Sequence, residues 1–111
     1  MLKVNEGDIL ISRSGTIGKV TYATKDLAEN YIVSDDLVRV RVKDPNLRAY
    51  LVAYFTSATA LSLMLLDEYG SVQQHLQPRH IQEMLIPVPS DWSYAKKIID
   101  AGNEFIHAME C

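Results

Sequence analysis

The sequence has little of what several protein classes depend on. Its one cysteine, Cys111, is the last residue, so no internal disulfide can form and a zinc site is not expected. No apolar run approaches the roughly 20 residues of a membrane-spanning helix. The polar stretch 1–7 lacks the apolar core of a signal peptide. These absences favour a cytoplasmic protein with no membrane partner.

The remaining composition is that of a folded protein with one domain. Of 111 residues, 48% are hydrophobic and 23% are charged, which argues against disorder. The net charge of −3 does not by itself indicate a nucleic-acid partner. Residues 1–50 carry eight Lys/Arg against seven Asp/Glu, whereas residues 51–111 carry three against seven. Any basic surface must therefore come from the first half.

The stretch 7–19, G-D-I-L-I-S-R-S-G-T-I-G-K, predicts two strands joined by a tight loop. Ile9 to Ile11 form an apolar run typical of a buried strand, and a second strand is predicted over 19–23. Gly15 and Gly18 allow positive φ and close approach by another backbone. The pattern fits a contact loop or a polar hairpin without a ligand.

Charged and hydroxyl side chains accompany this loop and suit a phosphate. The phosphate-binding candidates here are Arg13, Ser14, Thr16 and Lys19.

A polar connection is predicted over 24–30 and a long strand over 31–43. In its second part Val38, Val40 and Val42 alternate with basic residues, so the valines belong on a core. The basic side is either a solvated face or a platform for phosphates, with Arg39 and Arg41 as further candidates.

Asp44 and Pro45 predict a helix start, as N-cap and first helical residue. Apolar residues then recur at helical spacing, and Gly70 is the predicted stop, which gives one core helix over 45–69. The predicted core positions are Leu47, Tyr50, Leu51, Tyr54, Phe55, Ala58, Leu61 and Leu65.

The stretch 70–75 predicts a polar loop whose amide and imidazole groups suit base edges. Gln73, Gln74 and His75 are the base-reading candidates, although these residue types are also common in loops. A short helix over 79–84 and an edge strand over 85–89 follow, since Pro87 and Pro89 exclude a central strand.

The last segment, 91–111, is predicted to be helical with one apolar stripe. This stripe packs either on the chain's own sheet or against a partner helix. The partner-binding candidates are Ile98, Gly102, Phe105 and Met109. The predicted fold is α/β (α+β): a small mixed or antiparallel sheet packed with one long helix, plus the C-terminal helix.

Three pieces, in this order, resemble the target-recognition domain of type I restriction–modification specificity subunits. They are G-D-I-L-I-S-R-S-G-T-I-G at 7–18, the long helix ending in Gly70 with Q-Q-H-L at 73–76, and L-I-P-V-P at 85–89 before a terminal helix. Related domains are fused to some N6-adenine DNA methyltransferases. The resemblance covers roughly 5–107 and implies non-catalytic, sequence-specific recognition of duplex DNA.

The resemblance also implies how the chain is organised and what it works with. Residues 1–90 would be part of a recognition domain, and 91–111 a spacer helix that docks a methyltransferase subunit or pairs in a homodimer. S-adenosylmethionine, and ATP with Mg for restriction, would enter only through partner subunits, with no cofactor of the chain's own. The chain departs from the family at 90–98, S-D-W-S-Y-A-K-K-I, and in having fewer residues upstream. It is therefore expected to be the later part of such a domain, a truncated form of one, or a reduced relative.

Two other functions are weighed against DNA recognition. An assembly module without DNA affinity of its own would fit the acidic second half. An enzyme is not expected, because the sequence has no N-P-P-[YF] motif, no plausible Ser/His/Asp set, and three histidines that are not at metal-ligand spacings. Motifs shared by proteins with unrelated targets cannot encode the target, so base reading is assigned to the stretches 24–30 and 70–75.

Overall fold

A computed structural model describes residues 3–31, 36–66, 71–73, 75–82, 86 and 90–110. The strands are β1 (Ile9–Ser12), β2 (Val20–Tyr22) and β3 (Leu37–Val40). The helices are α1 (Lys25–Asn30), α2 (Pro45–Phe55), α3 (Ala58–Leu65), α4 (Pro78–Gln82) and α5 (Lys96–Glu110), with a 3-10 turn at Trp92–Ala95.

The three strands form an antiparallel sheet in the order β2-β1-β3. This confirms the predicted α/β (α+β) class and selects the antiparallel alternative. The central strand β1 is buried on both faces, which explains why its sequence is a continuous apolar run rather than an alternating one.

The main core lies between one face of the sheet and helices α2 and α3. Ile9, Ile11 and Val38 line the sheet side, and Val52 and Phe55 of α2 pack against them. Val40 and Val42 are half-buried against this core, while Arg39 and Arg41 are exposed on the other face. The alternation read from the sequence is confirmed.

A second, smaller core covers the opposite face of β1. Leu10 lies there with Val4 and Ala23, and Leu27 of α1 packs against them. The prediction of a polar connection over 24–30 is therefore wrong. Thr24 caps a helix by accepting a hydrogen bond from the Leu27 N–H (3.2 Å), and this helix brings Leu27 onto the sheet.

The predicted single helix over 45–69 is two helices, with a break at Thr56 and Ser57. Asp44 caps α2 as predicted. Ser57 then caps α3 through its side chain, which accepts from the Ala60 N–H, and its hydroxyl also bonds the Tyr54 oxygen. Such local side-chain bonds compete with the continuous helix. After the break Leu61 is 39% exposed instead of buried, and Ala58 is exposed too.

Other predicted boundaries differ less. Among the described residues, the strand predicted over 31–43 is found at Leu37–Val40, and 32–35 lie outside them. The helix predicted over 79–84 is described over Pro78–Gln82, and 83 and 84 lie outside the described residues. The predicted terminal helix begins with the 3-10 turn. Gly70 and most of the predicted edge strand at 85–89 also lie outside the described residues.

The terminal helix α5 packs on helix α2. Gly102 is buried there, and a Cβ at this position would lie 1.8 Å from the Ala49 backbone oxygen. The sequence left two alternatives for the apolar stripe of this helix, the chain's own sheet or a partner helix. The stripe packs within the chain, but on α2 rather than on the sheet. The helices approach this closely because residue 102 has no side chain.

Candidate nucleic-acid interface

The loop between β1 and β2 is held at its base and open at its tip. Ser12 N donates to the Lys19 oxygen (3.0 Å) and Gly18 N donates to the Ser12 oxygen (3.1 Å), so two residues oppose one, as in a β-bulge. Gly18 adopts φ +88° and Gly15 adopts φ +67°. No atom outside the neighbouring residues lies within 4 Å of a Cβ built on Gly15, so the tip is accessible.

The Ser12 hydroxyl fixes the loop internally. Its Oγ accepts from the Lys19 N–H (2.9 Å) and donates to the Thr16 oxygen. Lys19 and Thr16 are exposed, while the Ser14 hydroxyl donates to the Asp36 carboxylate. Of the four loop candidates for phosphate, Lys19 and Thr16 therefore lie open to solvent.

Arg13 is bonded within the chain and bridges to the segment before α4. Its Nε donates to the Leu76 oxygen (3.0 Å) and its Nη2 donates to the Gln77 side-chain oxygen (3.0 Å). In return, the Leu76 N–H donates to the Arg13 oxygen (2.7 Å). The sequence did not predict this contact, because 63 positions separate Arg13 from Leu76.

Helix α4 is short, and its start is capped in an unusual way. The Gln77 N–H donates to Nδ1 of His80 (2.8 Å), which takes the place that Glu or Gln holds in a capping box. Leu76 and Ile81 are buried in the main core, whereas His75 and Arg79 are exposed. The segment 75–82 thus presents an imidazole and a guanidinium to solvent. In the sequence, Gln77 and Pro78 indicate where helix α4 starts.

Arg41, a phosphate candidate, pairs with an acidic residue that the sequence reading missed. Its Nε and Nη2 donate to the two oxygens of Asp8 (2.8 and 2.9 Å), whose side chain is 1% exposed. Burial raises the pKa of Asp8, but the hydrogen bonds from Arg41 and Asn5 outweigh this and hold the pKa below its ordinary value of 3.8. The antiparallel pairing of β1 and β3, extended by one residue, sets residue 8 opposite residue 41, and this register has no local signal in the sequence.

Arg39 is exposed beside this pair, and its Nη1 donates to the Lys3 oxygen. The exposed face of β3 therefore carries two guanidinium groups, one bonded to Asp8 and the other to Lys3.

The base-reading candidates separate from one another. Gln73 donates through its side-chain Nε2 to the Met64 oxygen and through its N–H to the Leu65 oxygen, which satisfies carbonyls at the end of α3. Gln74 lies outside the described residues. His75 is exposed, and it is the one of the three whose side chain the structure describes as open to solvent.

The partner-binding candidates also fall into two groups. Gly102 and Phe105 face the chain's own core, whereas Ile98 and Met109 are 43% and 39% exposed. Ile98 borders a groove of about 350 Å³ between α2 and α5. Its other lining residues are Tyr50, Ala53, Tyr54, Ser57, Lys97 and Ala101.

The described residues include neither a candidate membrane span nor a candidate metal site. No helix among them has the length and apolar character needed to cross a bilayer. No group of three or more His, Cys, Asp or Glu side chains within that part of the chain is arranged to hold a metal ion.

The chain is similar to one family of known proteins along nearly its whole length. The family model described as type I restriction modification DNA specificity domain matches residues 2–108, which is nearly the whole chain. No curated protein and no solved structure matches the chain.

Proposed function

The chain belongs to the family of type I restriction–modification DNA specificity domains, and from this membership we propose that it recognises a specific duplex DNA sequence without catalysing a reaction. The match over residues 2–108 is the observation that carries the proposal. The chain would select the site, while methyltransferase subunits carry out the chemistry. S-adenosylmethionine, ATP and Mg would be bound by those subunits, and the expected location is the cytoplasm, with the DNA.

The proposed DNA-contacting surface is the loop tip together with the segment 75–82. Lys19 and Thr16 are exposed at the loop, and His75 and Arg79 are exposed on the segment that Arg13 holds beside it. Backbone amides and a lysine suit phosphate oxygens, while an imidazole and a guanidinium can also hydrogen-bond base edges. The exposed Arg39 adds positive charge on the sheet.

Fluorescence anisotropy of the purified chain on duplex DNA tests the proposal. A duplex selected from a random-sequence pool is compared with its shuffled version at about 50 mM and about 200 mM salt. We expect tighter binding to the selected duplex and a steep loss of affinity with salt. Equal affinity for the two duplexes, or no binding at low salt, would contradict the proposal.

Lys19→Ala and His75→Ala are expected to affect binding differently. Loss of one phosphate contact at Lys19 should weaken binding to both duplexes equally and lower the salt slope by about 0.9. Loss of a base contact at His75 should instead weaken the selected duplex by about 1–3 kcal/mol and leave the shuffled duplex nearly unchanged. The same anisotropy titrations measure both, with Glu104→Ala at an exposed position of α5 as control. The same uniform effect from both variants would refute this division of roles.

A second candidate is an assembly module, favoured by the groove between α2 and α5 and by the half-exposed Ile98 at its border. A partner helix, from a methyltransferase subunit or from a second copy, would bury Ile98 there. Ile98→Glu should then abolish the dimer that light scattering after size exclusion detects with the wild type, because a charge would enter an apolar contact. Asn103→Glu on the exposed surface of α5 is the matched control. A wild type that is monomeric at every concentration would exclude the homodimer.

A further inference from the structure

Among the described residues, every hydrogen bond between the β1–β2 loop and the segment 75–82 involves Arg13. These bonds form a junction between the loop and the segment. The backbone oxygen, Nε and Nη2 of Arg13 each make a bond there. A guanidinium offers donors in a rigid planar fork, so the Nε and Nη2 bonds together fix direction as well as distance. The junction therefore sets how the segment is oriented relative to the loop.

Helix α4 depends on contacts of this kind for its placement. It has five residues, and a helix this short does not persist on its own. Leu76 and Ile81 anchor the segment in the core and set its depth. The bond from Arg13 to the Gln77 side chain lies outside the core, where Gln77 is half-buried, and it restrains rotation of the segment about that anchor.

We infer that Arg13 is a positioning residue for sequence recognition, which acts by holding His75 and Arg79 in one orientation beside the loop. This inference rests on the proposed function. It gives Arg13 a different role from the direct phosphate contact expected from the sequence. The residue adds specificity through the segment it holds, because two of its nitrogen atoms are already bonded inside the chain.

Positioning and phosphate contact predict different effects of Arg13→Ala. Base reading needs hydrogen-bonding groups in a fixed geometry, whereas attraction to phosphates tolerates movement. The specificity ratio, defined as the Kd for the shuffled duplex divided by the Kd for the selected duplex, should fall about tenfold or more. Affinity for the shuffled duplex should change by less than about threefold, and the salt slope should stay that of the wild type.

Variants of Gln77 test the junction without removing the arginine. Gln77→Met keeps the size of the side chain but lacks the acceptor, so the ratio should fall. Gln77→Glu retains an acceptor for Nη2 and adds an opposite charge, so the ratio should be kept. Urea unfolding of each variant establishes that it is folded, and a purely structural role would lower its stability while the ratio of the folded protein stayed unchanged.

The outcomes separate this inference from the proposed function. A wild type that does not distinguish the two duplexes contradicts the proposed function and, with it, the inference. If the wild type discriminates but Gln77→Met keeps the full ratio, the inference is wrong and the proposed function stands. If Arg13→Ala weakens both duplexes equally and lowers the salt slope as Lys19→Ala does, Arg13 contacts phosphate directly. Should Arg13→Ala fail to fold, the two Gln77 variants decide.

Discussion

Gly102→Ala is expected to lower the free energy of unfolding by about 3 kcal/mol, because the new methyl group cannot fit between α5 and α2. Its Cβ would lie 1.8 Å from the Ala49 oxygen and 2.6 Å from the Ala49 carbonyl carbon. These are backbone atoms at a buried position of α2, so no side chain can turn aside to make room. The helices would have to separate, which would also expose Phe105 and Ile106 on α5.

Helix propensity alone predicts the opposite sign for this substitution, so the measurement distinguishes a packing clash from a propensity effect. In an exposed helix, glycine to alanine would stabilise by about 1 kcal/mol. Urea unfolding at 25 °C measures the difference in the free energy of unfolding between the variant and the wild type. Because a domain has a total stability of about 5–15 kcal/mol, a loss of this size is a large fraction of it. Asn103→Ala, at the exposed neighbouring position, is the control and should stay within about 0.5 kcal/mol of the wild type. A Gly102→Ala protein as stable as the wild type would show that the helices do not pack this closely.

The second large effect is expected at Asp8, where alanine should cost about 2–3 kcal/mol at neutral pH. The carboxylate accepts from Arg41 Nε (2.8 Å), Arg41 Nη2 (2.9 Å) and Asn5 N (2.8 Å), and it is buried. Its removal also leaves Arg41 without its partner, although the Arg41 side chain, 46% exposed, regains hydrogen bonds from water. The expected loss of stability is therefore smaller than the loss from breaking a fully buried ion pair.

The effect at Asp8 should depend on pH in a defined direction. The pKa of Asp8 is lowered in the folded protein, so the charged carboxylate stabilises the fold at any pH above the ordinary pKa of 3.8. This contribution is lost as the pH falls through the pKa of the folded protein. The difference between wild type and Asp8→Ala should thus shrink as the pH falls from about 5 to below 3.8. Asp100→Ala, which breaks an exposed pair with Lys96, is the control and should cost less than about 0.5 kcal/mol. A difference that grows on acidification would contradict the assignment.

Local patterns in the sequence were sufficient for much of the fold. The alternation of Val38, Val40 and Val42 predicted which face of β3 is buried, because successive side chains of a strand point to opposite faces. Asp44 and Pro45 predicted the start of α2, because a cap needs only atoms a few positions away. The order of motifs pointed to the family that the match over 2–108 now identifies.

The contacts of the polar residues were decided only by the tertiary structure. Arg13 bonds Leu76 across 63 positions and Arg41 bonds Asp8 across 33, so no local window reveals either partner. Gln73 has a side chain suited to bases, yet it bonds the Met64 oxygen at the end of α3. A sequence shows which side chains can donate or accept, but strand register and helix packing decide which groups come within hydrogen-bonding distance and which stay exposed to solvent.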